Sequence, residues 1–171
     1  MNRRMILAGL ISATSAAGIA HAEMRKDQII GSWSVVSVVT ETDGKSTEPF
    51  GPTPQGMFIF TADGYFSANI VRPGRTKFAS KNREAGSAEE NKEAVAGNIS
   101  TFGKYVFNSD GSITLSIIGS NFPNWDGTQQ RRAAKIVGDE MTYTNPTPSL
   151  GAGVSVLKLM RTNNWEPESP N

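Results

Sequence analysis

The chain has 171 residues, with 17 basic and 16 acidic side chains, one histidine, no cysteine and a formal charge of +1. That balance supplies no basic field for nucleic acid or an anionic lipid surface. The lack of cysteine excludes disulfides, thiolate nucleophiles and Cys-ligated zinc.

The chain opens on Met1-Asn2-Arg3-Arg4, a short positive segment, followed by an uncharged run of apolar and small residues over 5–20 and an A-x-A site at Ala20-His21-Ala22. This is the layout of a cleavable export signal, predicted over residues 1–22. The uncharged run is too short, and too rich in Ala, Gly, Ser and Thr, to span a bilayer core of about 30 Å. Arg3-Arg4-Met5-Ile6-Leu7 resembles a loose twin-arginine motif, but two basic residues also satisfy the general secretory route, which is the preferred reading. The expected location is periplasmic or secreted, with no membrane span once the signal is removed. Cleavage takes away Arg3, Arg4 and His21, so the formal charge becomes −1 and the mature chain carries neither imidazole nor thiol. That excludes His-ligated metals and Ser-His-Asp chemistry as well. A cysteine-free chain suits an oxidising compartment, where nothing in it can mispair.

Residues 23–162 read as one domain. A helical turn at Asp27–Ile30 leads into eight predicted strands, at 31–42, 56–62, 64–72, 101–108, 112–120, 128–137, 140–145 and 153–162. The Asp-Gly pairs at 43–44, 63–64, 110–111 and 126–127, with Gly138-Asp139, supply the hairpin turns. Alternation assigns one face each to Trp33, Val35, Ser37 and Val39, to Phe66, Ala68 and Ile70, and to Ile113, Leu115 and Ile117. Consecutive hairpins of this kind predict an all-β, antiparallel, up-and-down barrel, since closure removes exposed edges. One helix is predicted over 87–96, between strands three and four, from the capping box Ser87-x-x-Glu90 and a following Gly97. With the turn-rich stretch Arg72–Phe78 it forms an excursion of the kind that caps a barrel mouth or carries function. The tail 163–171 is polar and contains proline.

Gly31-Ser32-Trp33 opens the first strand and Arg161 lies near the end of the last. In lipocalins a G-x-W meets an arginine from the last strand, which stacks on the indole, bonds loop carbonyls and closes the barrel bottom. A longer set of motifs comprises Pro49-Phe50-Gly51, Pro54-x-Gly56, Thr61 to Ala68, Arg72-Pro73, Gly103-Lys104-Tyr105 and Phe122-Pro123-Asn124-Trp125-x-Gly127-Thr128-x-Gln130-x-Arg132. With these the chain resembles the bacterial and fungal lipocalin-like domain family over residues 28–162. The resemblance implies an eight-stranded, calycin-type barrel. Many members carry one or two histidines where this chain has Leu115-Ser116, so any family role of those histidines cannot operate here.

Several residues are candidate ligand contacts. Arg132 lies mid-strand, on a face with Thr128, Gln130, Ala134 and Ile136. If that face points inward, Arg132 is a buried cation that a ligand carboxylate could neutralise; the alternatives are an internal acid or solvent. Tyr65, Ser67 and Asn69 form a polar stripe that either lines the interior or covers the outside of a strand whose core residues are Phe66, Ala68 and Ile70. Tyr105 has the same two readings. Trp125, with Phe122, either lines an entrance or plugs it. Arg72, with Arg75 and Lys77, either receives an anion or is a solvated cluster. Asp43, Asp63, Asp110, Asp126 and Asp139 are explained by turns, and Glu89, Glu90 and Glu93 by the helix, so no carboxylate pair stands out for acid–base work. No cofactor, metal or nucleic-acid partner is implied. The expected function is binding of a small, largely apolar or amphipathic molecule, with an anionic end as one option. Two alternatives remain: an isomerase or cyclase acting by enclosing its substrate, and a structural or interaction barrel with a filled interior.

Overall fold

A computed structural model describes residues 26–162. The predicted signal, 1–22, and the tail, 163–171, lie outside the described residues. The elements in chain order are α1 (Lys26–Ile29), β1 (Gly31–Thr42), β2 (Lys45–Thr47), β3 (Gln55–Phe60), β4 (Tyr65–Val71), α2 (Ala88–Ala96), β5 (Asn98–Phe107), β6 (Ser112–Ser120), β7 (Gln129–Val137), β8 (Glu140–Asn145) and β9 (Val154–Arg161). Short 3₁₀ turns lie at Arg83–Ala85 and Pro123–Trp125. Every strand pairs antiparallel with its neighbours in the order β1-β3-β4-β5-β6-β7-β8-β9, and β9 returns to β1 from Trp33↔Arg161 to Glu41↔Val154. Eight strands thus close into a barrel with no free edge between first and last.

The ninth strand, β2, departs from the sequence reading. It pairs only with the far end of β1, at Thr40↔Thr47, Glu41↔Ser46 and Thr42↔Lys45. The intervening turn, Asp43-Gly44, has positive φ at both residues, as a two-residue hairpin with the sheet's twist requires. All three β2 residues are exposed, so the strand carries no alternating apolar pattern by which the sequence would reveal it. The helix therefore follows the fourth strand, β4, and not the third as expected.

A second departure lies within β1. Trp33 and Val35 are buried as alternation predicts, but the pairing with β9 shifts between Val35 and Ser37, and beyond it Val38 and Thr40 point inward instead of Ser37 and Val39. One extra residue, the exposed Val36, exchanges the faces. The other expected faces hold: Phe66, Ala68 and Ile70 are buried, as are Ile113, Leu115 and Ile117. Between Phe102 and Gly103 the β5–β6 register shifts again, and a Cβ on Gly103 would collide with the Ser116 carbonyl, so the two strands approach only because this residue is glycine.

The helix α2 begins as its sequence signals. The Ser87 side chain accepts from the Glu90 amide at 3.2 Å, and the Glu90 carboxylate accepts from the Ser87 amide at 2.8 Å and the Ala79 amide at 2.9 Å. These backbone donors hold the Glu90 carboxyl below its ordinary range. No α2 residue is buried. The helix contacts β5, and none of its residues borders the cavity inside the barrel.

Core and void divide along the barrel axis. The lower end, where β1 begins and β9 ends, is filled: Ile29, Trp33, Phe60, Ile113, Met141 and Leu159 are almost wholly inaccessible. None of these borders the cavity in the upper half.

Candidate functional site

The closed end rests on one arginine and one tryptophan. The Arg161 guanidinium lies 4.1 Å from the centre of the Trp33 ring. It donates to the Ile30 carbonyl at 2.9 Å and to the Gln28 carbonyl at 2.5 Å, and Asp139 lies 3.6 Å away. Trp33 donates from Nε1 to the Ile29 carbonyl at 2.9 Å. The segment entering β1 is thereby tied to the last strand, and the fork of Arg161 supplies acceptor-seeking groups where α1 exposes carbonyls.

The upper half contains a cavity. Its enclosed volume is about 70 Å³. That is several times what one water needs. Its walls are mostly apolar: Phe58, Phe66, Ala68, Ile70, Ile99, Leu115, Ile117 and Leu157 line it. Phe50, Trp125 and the segment Pro148-Ser149-Leu150 also border the space.

On this apolar wall sits Arg132, 3% exposed. It is carried by β7, whose inner face presents Gln130, Arg132, Ala134 and Ile136, as the alternation of that strand predicts. Arg132 donates to the Arg131 carbonyl at 2.9 Å and to the Gln130 side-chain oxygen. Gln130 in turn donates to the Thr128 hydroxyl at 3.1 Å. Burial pulls the Arg132 guanidinium below its ordinary value, and an interaction with the Tyr143 hydroxyl partly offsets that. Among the described residues no carboxylate pairs with Arg132, and none lines the cavity. The internal acid considered from sequence is absent from those residues.

Tyr143 completes the polar corner, and sequence reasoning passed over it. It lies on β8 opposite Ala134, one step along the inner face from Arg132. The signal was its alternation with the buried Met141. Phe58 holds its ring edge-on, with centroids 5.4 Å apart at 84°. Complete burial pushes the Tyr143 hydroxyl up to about 12, with Arg132 opposing the shift. The phenol is therefore a neutral donor near pH 7. A second polar group lies at Ser155, whose hydroxyl pairs with Thr40 at 2.6 Å.

The remaining candidates separate. Trp125 borders the cavity and meets Phe122 edge-to-face, with centroids 5.7 Å apart at 87°, so it both lines the space and packs down. Tyr105 is buried but lies away from the cavity. Its hydroxyl donates to the Thr61 carbonyl at 2.7 Å and its ring meets Phe60 at 5.3 Å, which makes it part of the closed end. Burial and the nearby Asp63 raise its hydroxyl above the ordinary value. Tyr65, Ser67 and Asn69 lie outside the barrel, because Phe66, Ala68 and Ile70 take the inner face of β4. Tyr65 sits under Lys104 at 5.5 Å, and Asn69 bonds Ser67 and Ser100. Arg72 borders a separate surface groove with Arg75, Thr76, Lys77 and Phe78. There Glu93 is held below its ordinary range by Thr76 first and then by Arg72 and Arg75, so those cations already face an acid.

A β-barrel tied shut at one end by a stacked Arg–Trp pair and hollow at the other has the architecture of a lipocalin-type domain. The family model of the lipocalin-like domain matches residues 30–159, and the chain belongs to that family. No curated protein matches the sequence. Among solved structures, one that it resembles is a biogenic amine-binding protein, solved as a selenomethionine derivative. The TM-score is 0.42 and the identity 14%, over 85% of this chain and 70% of that one. A likeness that distant carries nothing about what this chain binds.

Proposed function

We propose that this is an exported binding protein whose upper cavity encloses one small, largely apolar molecule with its polar end at Arg132. The observation that carries this reading is a guanidinium held 3% exposed on an apolar wall, with no carboxylate facing it among the described residues. Removing a cation from water is costly unless an acceptor or counter-charge answers it. The partners of Arg132 are neutral oxygens. A ligand would supply the rest, and its burial against the apolar wall would contribute the larger share of affinity. The lining favours holding a molecule over transforming it. Among the described residues that border the cavity, none carries a carboxylate, imidazole or amine that would take up a proton near neutral pH.

Export is inferred from the three-part layout of residues 1–22. The test is native mass spectrometry of the protein purified from the extracytoplasmic fraction of its own cell, under conditions that retain non-covalent ligands. The expected spectrum shows a chain beginning at Glu23 with one bound small molecule, lost on collisional heating. A chain beginning at Met1 overturns export. Protein that carries nothing and takes up no member of an apolar ligand panel overturns binding.

A further inference from the structure

We infer that the cavity is a receptor for monocarboxylic acids, in which the Arg132 guanidinium and the Tyr143 hydroxyl together grip one carboxylate. The inference rests on the binding function proposed above and gives its ligand a chemical class.

The corner formed by these two side chains is rich in donors and poor in negative charge. Arg132 has five N–H groups and no acceptor. The Arg131 carbonyl and the Gln130 amide oxygen engage its two terminal nitrogens, and the Tyr143 oxygen shares the same guanidinium. Those acceptors do not exhaust the fork, and all of them are neutral. The Tyr143 hydroxyl keeps its proton at neutral pH, so beside the guanidinium it brings one O–H donor to the cavity wall. Its ring is fixed by the edge contact with Phe58, so the hydroxyl has little rotamer freedom to lose on binding.

A group that satisfies this corner must accept several hydrogen bonds and carry one negative charge. A carboxylate does both, and its planar pair of oxygens matches a guanidinium fork. A neutral amide or alcohol accepts fewer bonds and leaves the cation unneutralised. A dianionic phosphate ester would bring a second charge that nothing on this wall answers. A protonated amine is repelled, because Arg132 is the only charged side chain bordering the cavity among the described residues. The enclosed space is small, about 70 Å³, which favours a compact body over a long acyl chain.

The test is calorimetric titration of the protein with a matched set: 4-phenylbutyrate, 4-phenylbutanamide, 4-phenylbutanol, 4-phenylbutylamine and 4-phenylbutyl phosphate. The expected order places the acid at least tenfold tighter than the amide, the alcohol and the phosphate, with no binding of the amine. Arg132→Gln is expected to weaken the acid at least tenfold and to abolish the preference for acid over amide. Tyr143→Phe is expected to weaken the acid severalfold more than the amide. Should either variant fail to fold, the wild-type complex decides: intermolecular nuclear Overhauser effects should join the methylene beside the carboxylate to the Tyr143 ring. An acid that binds no tighter than its amide, or one that contacts Tyr143 through its phenyl ring instead, overturns the carboxylate receptor and leaves the binding protein standing. Failure of all five compounds to bind overturns the inference, and with empty protein in native mass spectrometry it overturns the binding function as well.

Discussion

Arg161 stacks on an aromatic ring and Arg132 meets an aromatic hydroxyl, and their surroundings separate the two halves of the barrel. Arg161 stacks on Trp33, donates to two main-chain carbonyls and has Asp139 at 3.6 Å. Arg132 is more deeply buried, yet meets only neutral oxygens among the described residues. A charge held by fixed backbone acceptors and an acid stabilises the fold that holds it. A buried charge without a counter-ion costs stability, and retaining one is the trade expected of a binding site. The same residue type is thus a fastening at the closed end and, on the proposed function, a recognition group at the hollow one.

The largest expected effect lies at the closed end. Trp33 is fully buried, anchors α1 through its indole N–H and carries the Arg161 stack. Trp33→Ala should lower the free energy of unfolding by about 3–5 kcal/mol, as truncating a buried large aromatic does. Urea denaturation followed by circular dichroism measures this. A loss below about 1 kcal/mol would break the comparison, since the closed end would then not be the scaffold of the barrel.

The next effect is a pH dependence at the hollow end. Tyr143 has its hydroxyl raised to about 12, above the ordinary 10. Below pH 10 the group is protonated in both folded and unfolded chains and adds no pH dependence. Between pH 10 and 12 the unfolded chain releases the proton while the folded one keeps it, so stability falls as pH rises through that window. The fall should be on the order of 2 kcal/mol. Tyr143→Phe should flatten much of it, leaving the part that comes from Tyr105, which is also raised. Unfolding free energies measured from pH 9 to 12 check this, and parallel curves for the two proteins would mean that Tyr143 is not the buried phenol described.

A smaller effect of opposite sign sharpens the contrast between the arginines. Arg132→Met keeps the volume and removes the uncompensated charge. The ligand-free protein should gain about 1 kcal/mol in unfolding free energy. Binding of an anionic apolar ligand should fall at least tenfold. If Arg132→Met instead destabilises by as much as Trp33→Ala, Arg132 is a structural member like Arg161, and the two ends of the barrel are built on one plan.

The sequence carried the closed end more fully than the hollow one, for a physical reason. The fastening uses residues at fixed positions on paired terminal strands, Gly31-x-Trp33 and Arg161, and barrel closure brings those strands together whatever fills the middle. Arg132 was legible because alternation on β7 placed a cation among Gln130, Ala134 and Ile136. Tyr143 was not, because its nearness to Arg132 depends on the β7–β8 register, which pairs it with Ala134. The Pro148–Leu150 segment was missed because a loop has no periodicity to read. The exchange of faces in β1 turns on a single extra residue, Val36, and an apolar Val-Val-Ser-Val-Val run gives no hint of where the extra residue falls. Charge alone left Arg72 with two readings, because its neighbour Glu93 comes from a helix further along the chain.

The smallest expected effect tests the outer face of β4. Asn69 is exposed and bonds the side chains of Ser67 and Ser100, while its neighbours Ala68 and Ile70 line the cavity from the other side of the same strand. Asn69→Ala removes two solvent-screened hydrogen bonds and leaves no buried group unpaired. Unfolding free energy should change by less than about 0.5 kcal/mol, and ligand affinity should stay within twofold. Ile70→Ala, one residue along, should lower stability by about 2–4 kcal/mol and enlarge the cavity. The two measurements together fix which face of β4 meets the ligand. An affinity that follows Asn69 and ignores Ile70 would turn the strand inside out and move the site to the barrel's exterior.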